Sequence, residues 1–211
     1  MKNRVSSGFD FLTPHYDFLA RFVIGRDIVN AQLHFLKSFT AGNHILILGG
    51  GSGWILKPLY AACPDLRIDY IELSPKMLQS AKSNSENNGQ INFIQGTEND
   101  IPNRLYDGVI TNFYLDMFDA KSINAVINKI RKSMTLTALW VVTDFVCENS
   151  WHKMMLWLMY RFFRVVARIE ATRLPDWQSE MIHAGLTPSA TKKFKNGFIN
   201  STLYQSTTSF S

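Results

Sequence analysis

The chain has 211 residues, 46% of them hydrophobic and 18% charged, which suits one folded domain and excludes a disordered or low-complexity protein. Its 22 Lys and Arg against 17 Asp and Glu leave a formal charge of +5, too mild an excess to mark a nucleic-acid binder. The two cysteines, Cys63 and Cys147, have no metal-ligand spacing, and no metal site is expected.

The start, Met1-Lys2-Asn3-Arg4, leads into polar residues rather than an apolar core, so a reduced, cytoplasmic setting is the expectation. From Phe9 to Phe39, aromatic and aliphatic residues recur at helical spacing. Pro14 suits the opening of one helix and Gly25 a break before a second. After that, strand-like and helix-like stretches alternate. His44-Ile45-Leu46-Ile47-Leu48 reads as a buried strand, followed by Gly49-Gly50-Gly51-Ser52-Gly53 and a helix starting near Gly53. Arg67–Glu72 is a second strand. Ser74-Pro75 opens the next helix, with Ser as cap and Pro in the first turn, and Asn87-Asn88-Gly89 ends it. Ile91–Gln95 and Tyr106–Thr111 are the third and fourth strands, and a helix runs from about Ala120 to Lys132. Leu136–Asp144 is a long apolar fifth strand, followed by a helix from Ser150 to about Ile169 and a short one over Pro175–Ala184 that stops at Gly185. Thr187–Lys195 and Phe198–Gln205 form a hairpin around Asn196-Gly197.

Such alternation gives a parallel α/β sheet with one antiparallel strand added by the hairpin, in a single domain over residues 1–211. Ligands of these sheets bind at the carboxyl ends of the strands, here Gly49–Gly53, Glu72, Gly96–Glu98, Asn112–Asp116 and Asp144. A glycine turn followed by an acid at the tip of the next strand is the layout that grips a nucleoside. A dinucleotide would need a third glycine where this chain has Trp54, and a P-loop would need Gly-Lys-Ser/Thr.

The run Ile45-Leu46-Ile47-Leu48-Gly49-Gly50-Gly51-Ser52-Gly53 resembles the first motif of the class I S-adenosylmethionine-dependent methyltransferases. Tyr70-Ile71-Glu72-Leu73-Ser74-Pro75-Lys76-Met77-Leu78, Phe93-Ile94-Gln95-Gly96-Thr97-Glu98 and Tyr106-Asp107-Gly108-Val109-Ile110-Thr111-Asn112-Phe113 are similar to the motifs that follow it. The resemblance implies a Rossmann-like seven-stranded sheet in the order 3-2-1-4-5-7-6, strand seven antiparallel, with helices on both faces. It implies that Gly49, Gly51 and Gly53 approach the methionine part of S-adenosylmethionine and that Glu72 accepts from both ribose hydroxyls. Leu73 would pack on the adenine, Thr97 and Glu98 would flank its edge, and Asn112 and Phe113 would line the cofactor. Two positions depart from the family: Ile47 stands where an acid is frequent, and Thr97 where Asp is frequent. Thr13-Pro14-His15-Tyr16-Asp17 is similar to the N-terminal helix of quinone-biosynthesis methyltransferases, which implies that Tyr16 helps close the cofactor site.

Methyl transfer from a sulfonium asks chiefly for alignment and exclusion of water, and for a base only if the acceptor must lose a proton. Asp116 is the polar candidate nearest the fourth strand, with Asp144, His15 and His152 behind it. Residues 1–42 and 145–185 are expected to build the acceptor pocket. Their aromatic residues, Phe9, Phe11, Tyr16, Phe18 and Phe22 in one and Trp151, Trp157, Tyr160, Phe162 and Phe163 in the other, favour a small apolar or aromatic acceptor. Tyr114, Asp116 and Trp151 are the expected acceptor contacts. Arg161, Arg164 and Arg168 share one face of the 150–169 helix, which suits peripheral contact with an anionic membrane or an acidic acceptor. Two rivals stand beside this reading: an aminopropyltransferase, which would place an acid near Asn112, and a non-catalytic module of the same fold. Methylation of nucleic acid is disfavoured, because Asn112-Phe113-Tyr114-Leu115 lacks the paired prolines of the exocyclic-amine enzymes.

Overall fold

A computed structural model of the chain describes residues 25–85, 90–154, 156 and 175–207. Seven strands form one sheet: β1 (His44–Leu48), β2 (Arg67–Glu72), β3 (Ile91–Gln95), β4 (Tyr106–Asn112), β5 (Met134–Phe145), β6 (Leu186–Phe194) and β7 (Ile199–Ser206). Their order is β3-β2-β1-β4-β5-β7-β6, and β7 alone runs antiparallel to its neighbours, as expected. Among the described residues, the helices α1 (Arg26–Leu33), α2 (Leu56–Ala62), α3 (Pro75–Asn84), α4 (Ile123–Arg131) and α5 (Trp177–His183) accompany them.

The central strands are apolar over most of their length because both faces of the sheet are covered. One face turns Leu46, Leu48, Val109, Trp140 and Val142 toward Val126, Ile127 and Ile130 of α4 and Trp177 and Met181 of α5. The other turns Ile45, Ile47, Ile110 and Val141 toward Leu56 and Leu59 of α2, Leu78 and Ala81 of α3, and Phe39. Beside that second face, Ala31 of α1 packs with Phe145, Phe198 and Ile199.

Local signals set most boundaries. The Ser74 hydroxyl accepts from Met77 N–H at 3.2 Å, capping α3 ahead of Pro75. The 150–169 helix, the Asn87-Asn88-Gly89 stop and the helix before Gly25 fall wholly or largely outside the described residues; residues 150–154 are helical. Most boundaries fall within a residue or two of the sequence reading, and three differ in an informative way. The first βα connection uses Trp54 and Ile55 as well as the glycines, so α2 starts at Leu56. The helix α4 starts at Ile123 rather than near Ala120, because the Asp119 carboxylate accepts from Lys121 and Ser122 N–H at 3.1 and 2.8 Å and holds a turn there. The strand β5 begins two residues earlier, where Met134 pairs with Tyr106 across a register shift. Among the described residues, no helix is long and apolar enough to cross a membrane.

The amino-terminal ends of four strands meet at one buried carboxylate. Asp69 of β2 accepts from the Tyr106 hydroxyl at 2.6 Å and from Asn92 Nδ2 at 2.8 Å. His44 Nε2 and Arg104 Nε stand 3.4 and 3.6 Å from it. Burial lowers the His44 pKa, and the Asp69 charge opposes that shift. Asp69→Ala leaves these donors without their acceptor and is expected to cost about 2–4 kcal/mol of stability, against about 1–2 for Tyr106→Phe. Urea unfolding measures both; a loss below about 0.5 kcal/mol for Asp69→Ala would contradict the role of this junction.

Candidate functional site

At the opposite, carboxyl end of the strands, β1 runs into the glycine loop. Gly49, Gly51 and Gly53 have φ of 63°, 65° and 80°, a region that disfavours any side chain. What surrounds each glycine differs. A Cβ on Gly50 would stand 2.1 Å from Tyr70 Cζ, and one on Gly49 would stand 2.6 Å from Tyr114 Cδ2. A Cβ on Gly53 would stand 2.7 Å from Ala81 Cα, so this glycine lets the loop close onto α3. Gly51 meets only Met77 Sδ, at 3.9 Å, and is open to a ligand.

The loop is fastened from β2. Tyr70 donates its hydroxyl to Gly51 O at 3.0 Å. Glu72 Oε2 accepts from Gly51 N–H at 2.9 Å, and Oε1 accepts from Ser74 N–H at 2.7 Å. One carboxylate thus joins the loop after β1 to the cap of α3, and it is 8% exposed.

A cavity lies against the loop. Gly49, Gly50, Gly51 and Ser52 form its floor, with Ile47, Leu48, Trp54, Ile55 and Met77 around them; Gln32 of α1 and Asn112 and Phe113 after β4 close another side. Asn112 Oδ1 is shut from solvent and has no donor among the described residues. Phe113 has φ of 52° and donates its N–H to Thr143 O at 2.7 Å, which bends the chain at the end of β4. Four of the expected cofactor residues, Gly49, Gly51, Asn112 and Phe113, therefore share one cavity wall.

The others stand elsewhere. Leu73 is half-buried beyond the end of β2. Thr97 caps a short turn, its hydroxyl accepting from Asn99 N–H at 3.2 Å while Asp100 Oδ2 accepts from Thr97 N–H at 2.8 Å. Glu98 accepts from Asn99 Nδ2 at 2.8 Å and from the Tyr114 hydroxyl at 2.9 Å. Tyr114, expected against the acceptor, is buried beneath Gly49, and burial with the Glu98 charge pushes its phenol up. Trp151 is 38% exposed and sits edge-on to His152 and Phe198 rather than in this cavity. Tyr16, His15 and the aromatic residues between Phe9 and Phe22 and from Trp157 to Phe163 lie outside the described residues.

Asp116 also stands away from the cavity. Its neighbour is Asp144, whose Oδ2 accepts from Leu115 and Asp116 N–H at 3.0 and 3.2 Å and whose Oδ1 accepts from Phe145 N–H at 2.8 Å. Asp116 Oδ1 is shut from solvent and has no partner among the described residues. Burial raises both carboxyls above the usual range, and Asp116 raises Asp144 further. The pair fastens the turn after β4 to β5. Sequence reasoning missed Gln32, Trp54, Ile55 and Met77 as cavity walls. Trp54 carried a signal, a bulky aromatic beside a loop selected for small size; Gln32 carried none.

Comparisons with known proteins agree with this arrangement. Residues 45–135 match the family model described as a methyltransferase domain. A malonyl-[acyl-carrier protein] O-methyltransferase of Ilyobacter polytropus is 26% identical over 119 residues, which is 56% of this chain and 44% of that protein. The chain thus spans less than half the length of this curated relative. A Haloferax volcanii methyltransferase solved with the Trm112 methyltransferase activator superposes with a TM-score of 0.76 at 15% identity, over 98% of this chain and 99% of that one. The O-methyltransferase NcsB1 of neocarzinostatin biosynthesis, solved with S-adenosylmethionine and 2-hydroxy-5-methyl naphthoic acid, superposes with a TM-score of 0.60 at 16% identity over 83% and 51% of the two chains. At such identities the structural likeness establishes the fold.

The carboxyl pair makes stability depend on pH. A group whose pKa is raised by folding contributes fully below its unfolded value, near pH 4, and its contribution is lost as pH rises through the raised folded value. Asp116→Asn removes one such group and is expected to raise the melting temperature more at pH 8 than at pH 5. Thermal melts at both values check this; an equal shift at the two would contradict it.

Proposed function

We propose that this chain, whose residues 45–135 form a class I S-adenosylmethionine-dependent methyltransferase domain, transfers the methyl group of that cofactor to a small apolar or aromatic acceptor. The observation that carries the reading is the Glu72 bridge to Gly51 N–H, set beside a cavity that has backbone for a floor.

The residues present fit the cofactor. The Glu72 carboxylate holds the loop through Gly51 N–H at the tip of β2, and it is read as the acceptor for the ribose hydroxyls. Gly51 is open where a side chain would block the approach of the methionine part, and Asn112 Oδ1 needs a donor such as an ammonium group. With Ile47 in place of an acid in β1, Asn112 takes on more of that contact. Leu73, Thr97 and Glu98 belong to the adenine side, and Gly53 contributes by closing the loop on α3 rather than by touching the ligand.

When bound, the cofactor supplies a methyl group on a positively charged sulfur. The chain then has to hold donor and acceptor in line and keep water away. None of the described residues that wall the cavity has an ionisable side chain, which favours catalysis by alignment over a base drawn from this wall. Asp116 is not read as that base, since it stands outside the cavity wall and its backbone N–H is held by Asp144. We assign the acceptor side to residues 1–42 and 145–185. The aromatic neighbourhood of Phe113, Phe145, Phe198 and Trp151 supports an aromatic or apolar acceptor, and NcsB1, solved with a naphthoic acid, offers a parallel within the fold.

Titration calorimetry tests this directly. The protein is expected to bind S-adenosylmethionine and its demethylated product, S-adenosylhomocysteine. Glu72→Ala is expected to weaken both by about 100-fold, the loss of charge-assisted hydrogen bonds. Absence of binding to either compound by the unmodified chain would overturn the proposal.

A further inference from the structure

Phe113 belongs to a chain of rings that leads away from the cavity. Its ring centroid lies 4.8 Å from that of Phe145 at the end of β5, and Phe145 lies 5.0 Å from Phe198 in the β6–β7 turn. Phe198 is 5.4 Å from the imidazole of His152, in the helical residues 150–154 that follow β5. His152 is fully buried.

The polar contacts of His152 demand one protonation state. Glu148 N–H points at Nδ1 at 3.1 Å, so Nδ1 accepts and carries no hydrogen. The proton is then on Nε2, which donates to Asn196 O at 3.3 Å. Asn149 Nδ2 crowds that same Nε2 at 3.2 Å, and Asn149 Oδ1 accepts from His152 N–H at 2.9 Å. The carbonyl it reaches belongs to a turn in which Lys195, Asn196 and Gly197 all have positive φ, of 48°, 53° and 84°. The neutral ring therefore bolts the segment after β5 to a strained turn whose next residue is Phe198.

We propose that neutral His152 is a positioning residue for the site: it fixes Phe198, and through Phe145 it sets where Phe113 stands in the cavity wall. The proposal rests on the reading of that cavity as the methyl-transfer site. Loss of the ring nitrogens removes the acceptor of Glu148 N–H and breaks the bolt. Among the described residues, the charged groups of the packed elements are Glu148 and Lys193, paired with each other at 2.7 Å, with Lys195 in the turn and Lys153 on the same helix. None of these replaces the lost acceptor for Glu148 N–H.

Two readouts on the full chain test this, one of them without any ligand. His152→Phe keeps a ring against Phe198 but removes both nitrogens, and in it the amide NMR signals of Glu148, Phe198 and Phe113 are expected to move together from their places in the unmodified chain. Affinity for S-adenosylhomocysteine is expected to fall about fivefold in His152→Phe, whereas His152→Gln, which keeps one acceptor and one donor, is expected to retain it. A Phe113 amide that stays in place in His152→Phe would overturn the proposal. Failure of S-adenosylhomocysteine to bind the unmodified chain, with the Phe113 amide still displaced in His152→Phe, would overturn the proposed function and support the positioning of the wall.

Discussion

The site depends on a carboxylate that does two things at one place. Glu72 ends β2, and its oxygens take the N–H groups of Gly51 and Ser74. A glycine-rich loop has little to hold it: it lacks side chains and three of its residues have positive φ. Charge-assisted hydrogen bonds from one buried acid, with the Tyr70 hydroxyl on Gly51 O, fix the backbone where a ligand must approach it. The parallel sheet makes this possible, because β2 pairs with β1 in a register that brings Ile71 level with Leu48, and Glu72 one step beyond.

The glycines divide the work. Gly49 and Gly50 make room for the rings of Tyr114 and Tyr70, Gly53 makes room for α3, and Gly51 is the one left open. The tight helix–strand approach that a dinucleotide fold assigns to its third glycine falls here to Gly53, so Trp54 is free to stand at the cavity rim.

Much of this was legible in the sequence. Apolar runs of strand length, glycine punctuation and the Asn196-Gly197 turn foretold all seven strands, and the family resemblance implied their order. Boundaries slipped where side chains competed locally, as at Asp119, whose carboxylate holds a turn that delays α4. For the site, residues on the loop and at the strand tips were legible because motif and topology place them together. Gln32 was not, because only tertiary packing brings α1 to the cavity. Tyr114 and Asp116 were read as acceptor contacts from their place after β4, but sequence position fixes an address and not a direction. Tyr114 turns under Gly49 to meet Glu98, and Asp116 stands outside the cavity wall with its backbone N–H on Asp144.

The two ends of the sheet use buried acids for different ends. Asp69 is met by donors from neighbouring strands and ties the fold at their amino-terminal ends. Glu72 holds the loop that floors the cavity. A crystal structure with S-adenosylhomocysteine tests that distinction most directly. Glu72 should accept from both ribose hydroxyls while Gly51 N–H stays bonded to Oε2 and a ligand donor reaches Asn112 Oδ1. A ribose bound away from Glu72, or a loop detached from it, would contradict the account.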